Sequence, residues 1–461
     1  SPAPVGGSDD VRAAAHRQSL PPGHTIPRRW IPYLIFALLP LWWLVGLSFF
    51  QWPLIVLPFV YPLVKLGRRV RMPRRFGLWF LFIAWTLVSA TQLHSGSRAL
   101  AFVWRDSFYV AATVLFLVIY NTPERRLPAR LFVNAMAAFW VAVVAGGWIG
   151  VVLPNLQFNS PAMHIFPHSM LHNQYFYAHT HLQFAQVQHF LGFREGRPQA
   201  LFPYTNAWGS TFAITTPFAI GAIGAARSLA WRRLLQLTLL ASLVPGIFCL
   251  DRGMWLSLSV GMIYAFFRLA ARHERRMAIQ IVVIAGLAIT VIAISPLGGL
   301  VSGRFSHKTG DSSRLARDVA AQSQIASNPL TGYGAPSQQT SVTHTSKSVG
   351  TESEIFLLLY SHGVPGLFFA AAWLAYTVFR SAKTREGDTR LLFWVHTALL
   401  VACVQAPYYE ITERMPFMFA AAALLYRRIS DDESPPGPVR RRRLVRPRAR
   451  QAPVGAGAAA G

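Results

Sequence analysis

The chain has 461 residues, 53% of them hydrophobic and only 13% charged, about half the charged share of a soluble domain. Mean hydropathy is +0.34, and the apolar residues gather in runs of about twenty, the length that crosses a bilayer as a helix. This excludes a soluble enzyme and a disordered chain and points to a polytopic membrane protein; the net charge of +26, which alone would suggest nucleic acid, is a matter of placement.

In chain order, apolar segments are predicted at about 31–48, 50–66, 77–93, 99–120, 131–153, 204–226, 231–250, 253–271, 277–295, 355–379, 390–406 and 415–427. The expected fold is all-α: a polytopic transmembrane helical bundle of about 12 spans, with both termini cytoplasmic and two long external loops containing short helices. Residues 1–30 form a polar cytoplasmic tail, residues 31–430 the transmembrane domain, and residues 431–461 a basic disordered tail. The first 27 residues lack an apolar core, so no cleavable signal peptide is expected. Cys249 and Cys403 lie inside apolar runs and do not form a disulfide framework.

With the N-terminus placed in the cytoplasm, 33 of the 44 Lys and Arg fall in cytoplasmic turns and tails, as the positive-inside rule requires. The basic residues are topology signals, which removes the nucleic-acid reading. Arg441–Arg450 is expected to lie against anionic lipid headgroups.

The two external loops, about 154–203 and 296–354, are too long to be turns, and long loops carry function. Arg105 and Asp106, about one turn from the outer end of the fourth segment, are either an interfacial ion pair or the charged floor of an outward cavity. The first loop holds six histidines among aromatic residues. Proline and the absence of nearby Cys or carboxylates argue against a metal site and for helices lying in the interface, whose rings could stack on sugars. It ends in Gly196–Ser210. There Arg197 either anchors a helix or grips a phosphate at headgroup depth, and Asn206 and Gly209 open the next span.

Asp251 and Arg252 either cap the following span or place a second cation over the same cavity. The second loop carries Arg304, Lys308, Arg314 and Arg317 within fifteen residues, on the face where cations are scarce. Residues 312–327 suit an amphipathic helix, broken by Asn328-Pro329 and followed by Gly332 and Gly334. Glu352 and Glu354 close the loop as helix caps or as a general base.

These residues, in this order, resemble the O-antigen ligase / O-antigen polymerase superfamily over about residues 98–380. The resemblance rests on Arg197–Gly209, on Asp251-Arg252-Gly253, on Asn328–Gly334 (Asn-Pro-Leu-Thr-Gly-Tyr-Gly), and on Ser353 with Gly363-Val364-Pro365-Gly366. At the position of the ligase histidine stands Glu352. The resemblance implies a membrane glycosyltransferase using a polyprenyl-pyrophosphate-linked glycan and working on the outer face of the bacterial cytoplasmic membrane. Arg197, Arg252 and Arg314 would bind the diphosphate, with Arg304 and Lys308 adding charge. Glu352 would take the acceptor proton, with Asp251, Asn206, Tyr333, Glu354 and Arg105 in support. No cofactor, metal or nucleic acid is expected; the partners are the lipid-linked donor and a glycan, lipid or protein acceptor. The rival readings are a lipid-linked glycan flippase and a non-catalytic subunit of an envelope-assembly complex.

Overall fold

The computed structural model describes residues 31–187, 196–294, 321–338, 348–349, 353–382 and 390–433. The chain is mostly helical, and each of the twelve apolar segments falls on a helix or on two consecutive ones. A π-helical turn (Tyr33–Ala37) leads into α1 (Leu39–Val45), α2 (Gln51–Leu66), α3 (Gly77–Ser89), α4 (Gly96–Asn121) and α5 (Ala129–Val152). The first long loop includes α6 (His168–Leu171) and α7 (Gln174–Thr180). Beyond it come α8 (Thr205–Ala225), α9 (Leu229–Ala241), α10 (Leu243–Phe248), α11 (Arg252–Ala271) and α12 (Arg275–Ile294). After the second long loop the chain continues with α13 (Glu354–Ala382), α14 (Arg390–Gln405) and α15 (Met415–Glu433). Among the described helices four, α4, α5, α11 and α13, are long and apolar enough to cross a membrane.

Three features depart from the expected all-α pattern. The first loop contains strands: β1 (Gln157–Asn159) pairs antiparallel with β2 (His181–Gln183), and β3 (Ala185–Val187) with β4 (Gly196–Pro198). In the second loop β5 (Ser337–Gln338) pairs with β6 (Ser348–Val349). Such ribbons pair the backbone groups that loops leave over. The segment near 231–250 is split at Ser242, whose hydroxyl donates back to the Leu239 carbonyl at 2.7 Å, while Pro245 supplies no amide. Finally, α4 starts at Gly96 because the Ser95 hydroxyl caps the Arg98 amide. Arg105 therefore lies about two and a half turns inside the helix, deeper than the one turn expected.

The last helix is at the centre. Residues from Met415 to Arg427 are buried all round, the signature of an enclosed helix. The Ala420–Ala423 run lets it approach α4 closely, and Phe419 packs between Trp79 and Trp373, with ring centroids 4.6 Å from each. Its far end is held by Arg427, which donates to the Thr122 carbonyl at 2.9 Å and pairs with Glu124. Around this axis α8 packs on α5 and α14, and α13 packs on α3.

Two of the motif segments meet at a break in α13. Gly363 has φ 66° and ψ −172°, a region essentially reserved for glycine, and Pro365 has no amide to offer. The helical bonds lost there are replaced from outside. Tyr333 and Gly334 donate their amides to the carbonyls of Tyr360 and Ser361, both at 2.8 Å, and the Trp85 indole donates to the His362 carbonyl at 2.9 Å. Val364 in turn donates to the Pro329 carbonyl at 2.8 Å. The Asn-Pro-Leu-Thr-Gly-Tyr-Gly segment is thus a latch that fills the gap in a broken helix. The Arg98 guanidinium fastens it from α4 through the carbonyls of Tyr333 and Ala335. A Cβ at Gly363 would stand 2.1 Å from the Leu330 carbonyl oxygen. Gly363→Val is therefore expected to cost about 2–3 kcal/mol of stability, read as a lowered thermal transition in detergent. Val364→Ala, at an exposed neighbour, serves as control; a Gly363→Val shift no larger than the control's would refute the latch.

Candidate functional site

The site is built around the short link between α14 and α15, Ala-Pro-Tyr-Tyr-Glu-Ile-Thr-Glu-Arg at residues 406–414. Pro407 supplies no amide just beyond α14, and the link has to find its hydrogen bonds elsewhere. Glu354, only 2% exposed at the start of α13, provides them. Its carboxylate accepts the Ile411 amide at 2.8 Å and the Thr412 hydroxyl at 3.1–3.2 Å. Its own amide donates to the carbonyls of Ala406 and Tyr409 at 3.0 and 2.9 Å. Beneath the link, the buried Gln405 amide joins three helices: it accepts the Ser210 hydroxyl at 2.6 Å and donates to the Ser210 carbonyl and the Ser257 hydroxyl.

Charged groups from distant stretches are tied to this frame. Arg105 of α4 pairs with Glu410 at 3.1 Å, the two side chains remaining 17% and 24% exposed. Partial burial raises the Glu410 carboxyl above the usual carboxylate range. The Arg105 guanidinium draws it down and Glu413 pushes it up. Glu413 lies 3.6 Å from Arg414 and accepts the Tyr175 hydroxyl, which fastens α7 of the first loop to the link. Next to it, burial lowers the pKa of His179; its ring packs edge-on against Phe49, and its Nδ1 lies 2.9 Å from the Tyr175 carbonyl.

On the other side of the link, the Tyr409 hydroxyl bonds to Asp251. Asp251 also accepts the amides of Gly253 and Met254, forming the N-cap of α11. The motif glycines make room for this contact. A Cβ on Gly209 would stand 2.6 Å from the Asp251 carboxylate, and one on Gly253 would stand 2.3 Å from the Tyr409 hydroxyl. Arg197, carried on β4 and 9% exposed, donates from Nε to the Cys249 carbonyl at 2.8 Å, which sets it beside Asp251.

Of the residues singled out from sequence, Arg197, Asp251, Arg252, Glu354 and Arg105 are brought to one end of the bundle, around residues 406–414. Arg252 opens α11 directly after Asp251, and Asn206 lies in the first turn of α8. Tyr333 belongs to the latch: its hydroxyl meets Ser327 and Gln324 at the end of the helical stretch 321–327. Arg304, Lys308, Arg314 and Glu352 lie outside the described residues, as does the basic tail at Arg441–Arg450. Among the described residues no three of His, Cys, Asp and Glu group as metal ligands would.

The sequence reading passed over Glu410, Glu413 and Arg414. The available signal was three charges in five residues between two apolar segments, on the face assigned to the outside.

Residues 237–371 match the family described as O-Antigen ligase. The resemblance drawn from the motifs is borne out over that stretch, under a third of the chain, which includes α11, the latch and the break in α13. The match indicates an O-antigen-ligase-type membrane glycosyltransferase. No curated protein matches the chain.

Glu354→Ala would strip the link of its hydrogen bonds to this carboxylate and leave the buried Ile411 amide and Thr412 hydroxyl without their acceptor. A loss of about 2–4 kcal/mol is expected, measured as thermal stability in detergent, with Glu354→Gln retaining part of it. Equal stability of Glu354→Ala and the parent chain would remove Glu354 from this role.

Proposed function

We propose that this protein transfers a glycan from a polyprenyl-pyrophosphate donor to an acceptor hydroxyl, at the outer face of the bacterial cytoplasmic membrane, without a metal. One observation carries the reading: cations and carboxylates from α4, β4, α11, α13 and the 406–414 link gather at one end of an apolar bundle, within a chain matching the O-Antigen ligase family.

Arg197, Arg252 and Arg314 hold the diphosphate, with Arg304 and Lys308 adding positive charge from the second loop. Guanidinium groups suit this task because they meet phosphate oxygens two at a time and stay charged. Glu352 accepts the proton of the attacking hydroxyl. The new bond forms from that oxygen to the anomeric carbon as the bond from that carbon to the diphosphate oxygen breaks, giving inversion. The arginines stabilise the charge that develops on the leaving diphosphate. Glu410 pairs with Arg105 at the same end of the bundle, and Glu354 is a positioning residue that fixes the link carrying Glu410.

Incubation of the purified chain with a lipid-pyrophosphate glycan is expected to release the polyprenyl pyrophosphate, and a metal chelator should leave the rate unchanged. Arg197→Ala is expected to lower turnover by about 10²–10³ while its thermal transition shows a folded chain; a folded Arg197→Ala variant with full activity removes Arg197 from the seat.

Arg105→Gln gives a pH test. The guanidinium lowers the Glu410 pKa, so its removal lets that pKa rise further. Glu410 then ionises only at higher pH, and the acidic limb of the activity profile should move upward. An unmoved or lowered limb would exclude Glu410 as the group that sets it.

A further inference from the structure

The first loop has a face that the diphosphate chemistry does not use. Residues 131–193 contain no Asp, Glu, Lys or Arg in a chain of net charge +26, so this stretch offers no formal charge to a ligand. Strands β1 and β2 divide its side chains by the two-residue alternation of a strand. Phe158 and Leu182 pair across the ribbon; Leu182 is buried in a cluster with Trp43, and Phe158, partly exposed, lies edge-on to the Trp43 ring at 6.3 Å. The other two cross-strand pairs, Gln157 with Gln183 and Asn159 with His181, form the opposite face.

That face is already organised. The His181 Nδ1 lies 2.7 Å from the Asn159 side-chain oxygen, and the Gln183 amide donates to Gln157 at 3.2 Å. The Tyr177 ring, 38% exposed, stacks on His181 at 5.2 Å with the planes 18° apart. Carboxamides offer a donor and an acceptor side by side, as sugar hydroxyls require. An aromatic face offers an apolar surface to the C–H face of a sugar ring. The ribbon also lies between two anchors of the site on the same stretch of chain. Tyr175, two residues before Tyr177, bonds to Glu413, and β3, directly after β2, pairs with the strand that carries Arg197.

We infer that the Gln157–Asn159–His181–Gln183 face of the β1–β2 ribbon, with Tyr177, is a binding surface for an uncharged oligosaccharide. The inference rests on the glycosyltransferase reading for the identity of that glycan: the sugar chain of the donor or that of the acceptor. The two functions are then divided, with cations holding the diphosphate and a neutral amide surface holding the sugars.

The test uses the full chain in detergent on an array of neutral and uronic-acid-bearing bacterial oligosaccharides. Neutral oligosaccharides should be retained in preference to acidic ones. Tyr177→Ala and the double variant Asn159→Ala/Gln183→Ala should each weaken retention by about tenfold with the thermal transition unmoved. Retention of no neutral oligosaccharide, a preference for acidic ones, or undiminished retention by both folded variants would overturn the inference. Transfer assays separate the two sources. A raised KM for long-chain donors, with short-chain donors unaffected, assigns the surface to the donor; a raised KM for the acceptor alone assigns it to the acceptor. Neutral-glycan retention without any release of polyprenyl pyrophosphate would leave the surface standing and sink the transferase reading instead.

Discussion

Glu354 exchanges hydrogen bonds in both directions with the link that joins the last two helices. Its carboxylate takes an amide and a hydroxyl, and its amide supplies two carbonyls. A turn between apolar helices leaves backbone groups unpaired by helix, and those that are buried must be paired inside the protein. One buried side chain at the head of α13 meets that need. In doing so it fixes the position of Tyr409 and Glu410, through which Asp251 on one side and Arg105 on the other are drawn to the same end of the bundle. Without this anchor the charged groups would have no common frame.

The same physics governs the broken helix α13. Breaking a helix frees carbonyls, and in this chain the Asn328–Gly334 segment and Trp85 take them up. The cost of the break is offset, and the Asn328–Gly334 segment of the second loop is fastened to the bundle. Tyr333 contributes through its backbone to the latch and through its hydroxyl to the helical stretch before it. A motif that looks catalytic in a linear reading can therefore serve to mend a helix and hold a loop.

Much of the fold was legible because its signal is local and repetitive. A run of apolar residues has few alternatives to a buried or lipid-facing helix, and all twelve runs coincide with helices. The glycines at 209, 253 and 363 were legible as motif members, though what each makes room for was not. The ribbons of the first loop were missed because strands of three residues carry almost no periodicity. The depth of Arg105 was misjudged because Ser95 caps its helix earlier than the hydropathy pattern indicates. Glu410, Glu413 and Arg414 were passed over because a short link between two apolar helices reads as a connector until its partners are known.

The helical segments and the class of molecule could be read from the sequence, since they follow from composition and hydrophobic run length. The tertiary structure alone decided which charges meet. Arg105 finds Glu410 across some three hundred residues, and Arg197 finds the Cys249 carbonyl across about fifty. Such pairings are set by how helices pack around α15 and by which buried groups still lack a partner, and neither is a property of any stretch of chain read in isolation.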